Sequence, residues 1–100
     1  MIARGTTPTI EYTFTIVDTS NITKAYLTIK QGRTTIEKDL SEATIGEGSL
    51  SWTLTQEETL ALSTKAFADI QCRYKTSDGT AYVTKITSEK PYDVLKEGEI

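Results

Sequence analysis

The side chains able to do chemistry in this chain are few, and one type is missing outright. There is no histidine among the 100 residues. A triad base, a proton shuttle working at neutral pH and the usual zinc ligand are therefore all absent. Cys72 is the sole cysteine, so no internal disulfide can form. It sits between Ile70 and Tyr74 in an alternating run, which predicts a buried, inert thiol. A nucleophilic cysteine would need an electropositive neighbour and a base, and the histidine base does not exist here. Carboxylates occur in two pairs. Glu57 and Glu58 are adjacent on a helical turn and face different directions. Glu37 and Asp39 share one face of a strand about 7 Å apart, a spacing that suits a glycosidase pair. Acid catalysis also needs an apolar pocket to raise one pKa, and an edge strand of mixed polarity supplies none. The pair reads as solvated edge charge.

Metal and phosphate chemistry fare no better. The Asp18–Asn21 loop offers two candidate oxygen ligands and Asp78-Gly79 one, fewer than calcium requires. Neither GxxxxGK(S/T) nor GxGxxG occurs, so the glycine-rich phosphate cradles are missing. Serine and threonine have only lysine as a base, without a characteristic Ser–Lys spacing. The expectation is no catalytic residue, no cofactor, no metal and no enzyme. Aromatic residues remain. Tyr26 and Phe67 fall opposite the inward sets of their strands, and on neighbouring strands they would form an exposed stacking patch. A sugar-binding platform has that appearance. Apart, they would simply cover the outer sheet face or meet lysine and arginine stems.

Strands must position these groups. Threonine, isoleucine and valine together number 32, and branched side chains favour the pleated surface over the helix. Residues 9–17 alternate, with Ile10, Tyr12, Phe14 and Ile16 on one side. Asp18–Asn21 breaks the run with turn chemistry. A strand over 24–31 points Ala25, Leu27 and Ile29 inward, Gln31-Gly32 reads as a hairpin turn, and 33–40 returns. That return strand places Thr34, Ile36 and Lys38 on one face, an inward charge typical of an edge. After Gly46-Glu47-Gly48, Leu50, Trp52 and Leu54 alternate, with Trp52 as the core anchor. Thr55-Gln56-Glu57-Glu58 matches a capping box, predicting a short helical turn over 56–63. The last hairpin joins 66–76 to 80–89 through Thr76-Ser77-Asp78-Gly79. Tyr82, Val83 and Ile86 cannot share a face without a bulge near Thr84-Lys85. The reading is one all-β domain over 1–100: an antiparallel two-sheet sandwich of immunoglobulin-like arrangement. A small, partly open barrel is the alternative. Residues 1–8 form an extended N-terminal arm and 91–100 a frayed tail.

The chain carries 11 Lys+Arg against 14 Asp+Glu, a net charge of −3, with the cations scattered. Nucleic-acid binding, which needs a basic stripe, is not expected. No apolar stretch approaches the ~20 residues of a membrane span, so no membrane partner is expected either. The start has no apolar signal region, so the expectation is synthesis in the bacterial cytoplasm without a signal peptide.

The opening Ile2-Ala3-Arg4-Gly5-Thr6-Thr7-Pro8-Thr9 runs straight into an aromatic-alternating strand. With the Gln31-Gly32 hairpin, the Leu54–Thr59 turn and the Thr76–Gly79 hairpin, it resembles small proteins encoded near tail or baseplate genes in phages and prophages of Gram-positive bacteria. The resemblance implies a virion-associated or assembly role and no chemistry, and it carries over no functional residue. From the residues, Gly5-Thr-Thr-Pro8 is extended and donor-poor, a segment suited to lying along a neighbour's edge by strand addition. An ordinary lead-in to the first strand would look the same. The functional expectation is a structural or interaction module of a phage tail or baseplate, either part of the virion or an assembly factor, whose partners are proteins (copies of itself or a neighbouring subunit). Its candidate contacts are Arg4, Thr6, Thr7, Pro8, Tyr26 and Phe67. The alternative is a carbohydrate-binding module that recognises a host cell-wall glycan.

Overall fold

The structure is a computed structural model that describes residues 2–15 and 17–100. Met1, at the tip of the expected arm, and Ile16, expected to face inward, lie outside the described residues. Eight strands form two antiparallel sheets: β1 (Thr9–Thr13), β2 (Ile22–Gln31), β3 (Thr34–Asp39), β4 (Thr44–Gly46), β5 (Ser49–Thr53), β6 (Ala68–Thr76), β7 (Ala81–Val83) and β8 (Thr87–Glu89). The smaller sheet has the order β1-β5-β4, and the larger β3-β2-β6-β7 with β8 also pairing with β6. One short helix, α1 (Gln56–Leu60), lies between β5 and β6. This is the expected all-β architecture of two antiparallel sheets with one short helical turn, consistent with a β-sandwich.

Period-2 patterning explains the layers. β2 buries Ala25, Leu27 and Ile29, and β6 buries Ala68, Ile70 and Cys72. The register sets Leu27 opposite Cys72 and Ile29 opposite Ile70, so the two longest strands share one apolar face. Leu50, Trp52 and Leu54 supply the other wall of the same core cluster. Trp52 is buried, and its Nε1–H donates to the Asp39 carbonyl at 2.9 Å, as a buried indole must find an acceptor. The hydrogen bond runs from β5 in one sheet to the end of β3 in the other. Turn residues behave as their chemistry requires. Gly32 takes a φ of 56° between Gln31 and Thr34, and Gly79 a φ of 89° after Thr76-Ser77-Asp78; both lie in the left-handed region that costs glycine nothing.

Several boundaries differ from expectation, each for a local reason. β1 ends at Thr13, although the Phe14 amide still donates to the Gly48 carbonyl at 2.7 Å. β4 was not anticipated, since three residues carry no periodicity. The return strand 80–89 divides into β7 and β8, whose registers on β6 differ by one residue; Thr84 still bonds to Cys72 and Thr87 stands opposite Ile70, so the extra residue falls at Lys85-Ile86, one position beyond the expected Thr84-Lys85. The segment 91–100 is held at its start. Pro91 is buried, Tyr92 bridges Ala3 in parallel, and the Tyr92 amide donates to the Ile2 carbonyl at 2.9 Å. Ile2 joins the core cluster, so apolar burial pins the leading segment down. These contacts join opposite ends of the chain, where local patterning is silent.

Edge β3 carries the inward charge read from the sequence. Lys38 is buried and its Nζ lies 3.0 Å from Glu58 Oε1 on α1. Glu58 also closes the capping box: the Thr55 amide donates to its carboxylate at 2.8 Å, and its own amide donates to Thr55 Oγ1 at 3.1 Å. Burial pushes the Glu58 carboxyl up, but the Thr55 amide and the Lys38 ammonium outweigh it and leave the pKa below its ordinary value of 4.5. A depressed carboxyl contributes stability above the unfolded-state pKa, and that stability is lost as pH falls through the folded one. Replacing Lys38 with Met is expected to cost about 1–3 kcal/mol at neutral pH, the value of a charge-assisted hydrogen bond. Urea midpoints measured down the pH scale should also show a shallower loss below pH 4.5 in the variant than in the parent.

Candidate functional site

The six residues singled out as contacts do not come together. Arg4 turns into the chain's own tail: its Nη1 lies 2.7 Å from Asp93 Oδ1 and 3.4 Å from Glu97 Oε1, and its Nη2 donates to the Leu60 carbonyl at 3.1 Å. The Val94 amide and then the Arg4 guanidinium hold the Asp93 carboxyl below its usual range. Thr6 donates its hydroxyl to the Ala3 carbonyl at 2.6 Å and accepts, through its own carbonyl, from Thr59 Oγ1 at 2.9 Å. Thr7 is exposed and makes no side-chain hydrogen bond, and the Pro8 carbonyl accepts the Leu54 amide. The segment 2–8 is thus occupied by its own chain along most of its length.

Tyr26 and Phe67 are exposed, at 41% and 62%, but they do not form a patch. Tyr26 stands opposite Arg73 on β6, while Phe67 immediately precedes that strand. Six residues separate the two positions along one strand direction, roughly 20 Å at ~3.3 Å per residue. Phe67 has the Lys90 ammonium 5.8 Å from its ring centroid, the lysine-stem contact of the plainer reading. Trp52 is buried in the core and adds nothing to a surface platform. Glu37 and Asp39 do share the outer face of β3, and Asp39 is engaged as a cap, accepting from the Ser41 amide at 3.0 Å and from its hydroxyl. Among the described residues no cluster of three or more potential metal ligands occurs, and no helix is long and apolar enough to cross a membrane.

Cys72 is buried without exposure, and burial pushes its thiol up to about 11. Burial raises the Tyr12 and Tyr74 phenols as well. The inward aromatic residues stack around it: Phe14 lies 4.8 Å from Tyr74, and Tyr74 lies 5.0 Å from Tyr82 in parallel planes.

Two features escaped the sequence reading. The first is a cationic groove on the outer face of the larger sheet. It has a volume of about 190 Å³ and is lined by Lys24, Tyr26, Arg73, Tyr74, Lys75 and Ala81. Lys24 stands directly opposite Lys75, just past a register shift between Ile22 and Lys24. Like charges in that position repel. None of Lys24, Arg73 and Lys75 makes an ion pair among the described residues. The alternation of each strand placed these side chains outward; what the sequence does not show is that β2 and β6 are neighbours in this register. The second feature is the open state of two of the sheet edges, β1 and β7; the opposite edges are β4 and β3. Among the described residues β1 pairs only with β5, and β7 only with β6. Phe14 and Pro8 bond to β5 through their backbones, so Thr9, Glu11 and Thr13 turn their N–H and C=O groups away from it. Thr84 and Thr80 bond to β6, so Ala81 and Val83 likewise turn theirs to the outside. Val83 and Ile86 are exposed at 57% and 60%.

No protein-family model, no curated protein and no solved structure matches this chain.

Two outcomes follow. A raised thiol pKa contributes stability that is full below the unfolded value of 9.0 and disappears as pH rises through about 11. The loss should amount to about 2–3 kcal/mol, with Cys72→Ala flattening that part of a stability–pH curve. Ellman's reagent should leave the folded protein unlabelled near neutral pH and react on unfolding. For the termini, Arg4→Ala should speed amide exchange at Tyr92 and Val94 while leaving exchange at Leu27 and Ile70 unchanged.

Proposed function

We propose that this chain is a non-enzymatic structural module that acts by protein–protein assembly, in the tail or baseplate apparatus of a phage or prophage. We further read its two sheets as an immunoglobulin-like sandwich. The orders β1-β5-β4 and β3-β2-β6-β7 correspond to the B-E-D and C′-C-F-G orders of that arrangement. The first strand of the arrangement is missing, because residues 2–8 bond instead to Tyr92, Leu54 and Thr59. Cys72 falls on the strand that carries the second cysteine of antibody domains, without a partner.

The observation that carries the assembly reading is the pair of unguarded edges. β3 is protected by its inward Lys38, as edge strands usually are. β1 and β7 have no such device, and they present free backbone donors and acceptors beside exposed Val83 and Ile86. Strand addition at such an edge gains affinity from main-chain hydrogen bonds and specificity from alternate side chains. The phage setting is supported by the sequence resemblance alone.

The test is coexpression with the proteins encoded beside it, followed by native mass spectrometry. A complex of fixed stoichiometry, with itself or with a neighbour, is the expected result. A chain that stays alone in every combination, yet is retained on cell-wall polysaccharide, would overturn assembly in favour of the glycan-binding alternative.

A further inference from the structure

The two open edges lie on the same side of the molecule. The Tyr12 hydroxyl on β1 meets the side chain of Thr84, the residue after β7. Phe14, next to β1, packs on Tyr74, which stacks on Tyr82 of β7. β1 of the smaller sheet therefore runs over β7 of the larger one. Their outward side chains differ in charge. Glu11 is exposed at the middle of β1. Beside β7, on β6, stand Arg73 opposite Val83 and Lys75 opposite Ala81. Lys24 faces Lys75 from the other flank, and like charges in that position repel. On the same face Asp39, opposite Tyr26, has its carboxylate engaged by Ser41.

We propose that a second copy of this chain covers that side, β1 of each copy running along β7 of the other, with Glu11 of each meeting Arg73 and Lys75 of its partner. The proposal deepens the assembly reading and rests on it. Joined in this way, the smaller sheet of one copy and the larger sheet of the other become a single sheet, and the unpaired backbone groups of Thr9, Glu11, Thr13, Ala81 and Val83 gain partners. Strands in a sheet are about 4.8 Å apart, so Glu11 of the added strand stands roughly 10 Å from the β6 backbone. Extended lysine and glutamate side chains together span that distance, and the methyl group of Ala81 leaves the path between them clear. Because both edges lie on one side, a twofold axis running along the strands makes both contacts at once and closes the assembly at two copies. An axis normal to the sheets would set β1 against β1 and β7 against β7. Glu11 would then face Glu11 and the cations would face cations, which like-charge repulsion disfavours.

Charge reversal tests this on folded protein, since Glu11, Arg73 and Lys75 are all exposed. Molar mass would be measured by light scattering from about 10 µM to about 1 mM, a range that brackets weak to moderate association. The parent chain is expected to reach twice its monomer mass. Glu11→Lys, and separately Arg73→Glu with Lys75→Glu, should each weaken association at least about tenfold. An equimolar mixture of the two variants should recover the dimer, because each then offers the charge the other lacks. Adding salt should weaken the parent dimer. A parent chain that stays monomeric at the highest concentration would overturn the proposal. So would species larger than two, association unaffected by either variant, or a mixture as monomeric as its components. A monomeric parent chain that still enters a complex with a neighbouring tail protein would leave the assembly reading standing and remove only this dimer.

Discussion

The hydrogen bond from the Trp52 indole to the Asp39 carbonyl joins two sheets that share no strand. Each sheet is hydrophobic on one face only, and each must bury that face against the other. Trp52 is the largest fully buried side chain and spans the gap. Its apolar rings belong to the same core cluster as Leu27, Leu50 and Leu54 and meet the Tyr12 ring edge-on, while its single polar atom satisfies the carbonyl at the end of β3. The same carbonyl belongs to the residue that caps the following 3-10 turn, Leu40–Glu42. One aromatic side chain therefore sets both the separation of the layers and the place where β3 stops.

From that joint outward, the two sides of the molecule are finished differently. On the β3 side, Lys38 points inward to Glu58, and Glu58 caps α1, so the edge, the helix and the crossing between sheets are tied by one ion pair. On the β1–β7 side no charged residue turns inward among the described residues; Tyr12, Phe14, Tyr74 and Tyr82 fill the space between the sheets with aromatic rings. The cations of that side stay on the outer face, where Lys24 and Lys75 oppose each other. Such a pair costs stability in the isolated chain, and an anionic neighbour would relieve the cost.

Local patterning in the sequence was enough for the strand faces of the interior, though not for Ile2, which enters the core from the leading segment. Alternation over 24–31 and 66–76 located β2 and β6 with the buried Ala25, Leu27, Ile29, Ala68, Ile70 and Cys72, although Ala66 is exposed ahead of β6, and Thr55 with Glu58 located the cap of α1. Tyr82, Val83 and Ile86 foretold the bulge between β7 and β8, because three apolar residues at those positions cannot share one face. What the sequence withheld was everything that depends on which strands meet. Tyr26 and Phe67 were each placed outward correctly, but only the β2–β6 register shows that they stand far apart. The grip of Arg4 on Asp93 and Glu97, and of Ile2 on Tyr92, joins the two ends of the chain. A composition of scattered single charges gave no hint that Lys24, Arg73 and Lys75 converge on one groove.

The central pairing has a consequence for how the chain folds. β2 lies at the middle of the larger sheet, yet Lys30 pairs with Asp69 and Ile22 with Thr76. The residues it pairs with on β6 lie 39 to 54 positions further along the chain. Until they follow, β2 can form only the β2–β3 hairpin, which is marginal alone in water. Contacts of such separation must repay loop-closure entropy before they stabilise anything, which makes folding slow and late. Until β6 follows, the emerging chain carries a strand whose alternating Ala25, Leu27 and Ile29 have no partner on that side. Lys24 and Lys30 stand at the two ends of that stretch, the position in which charges oppose pairing between unfolded chains.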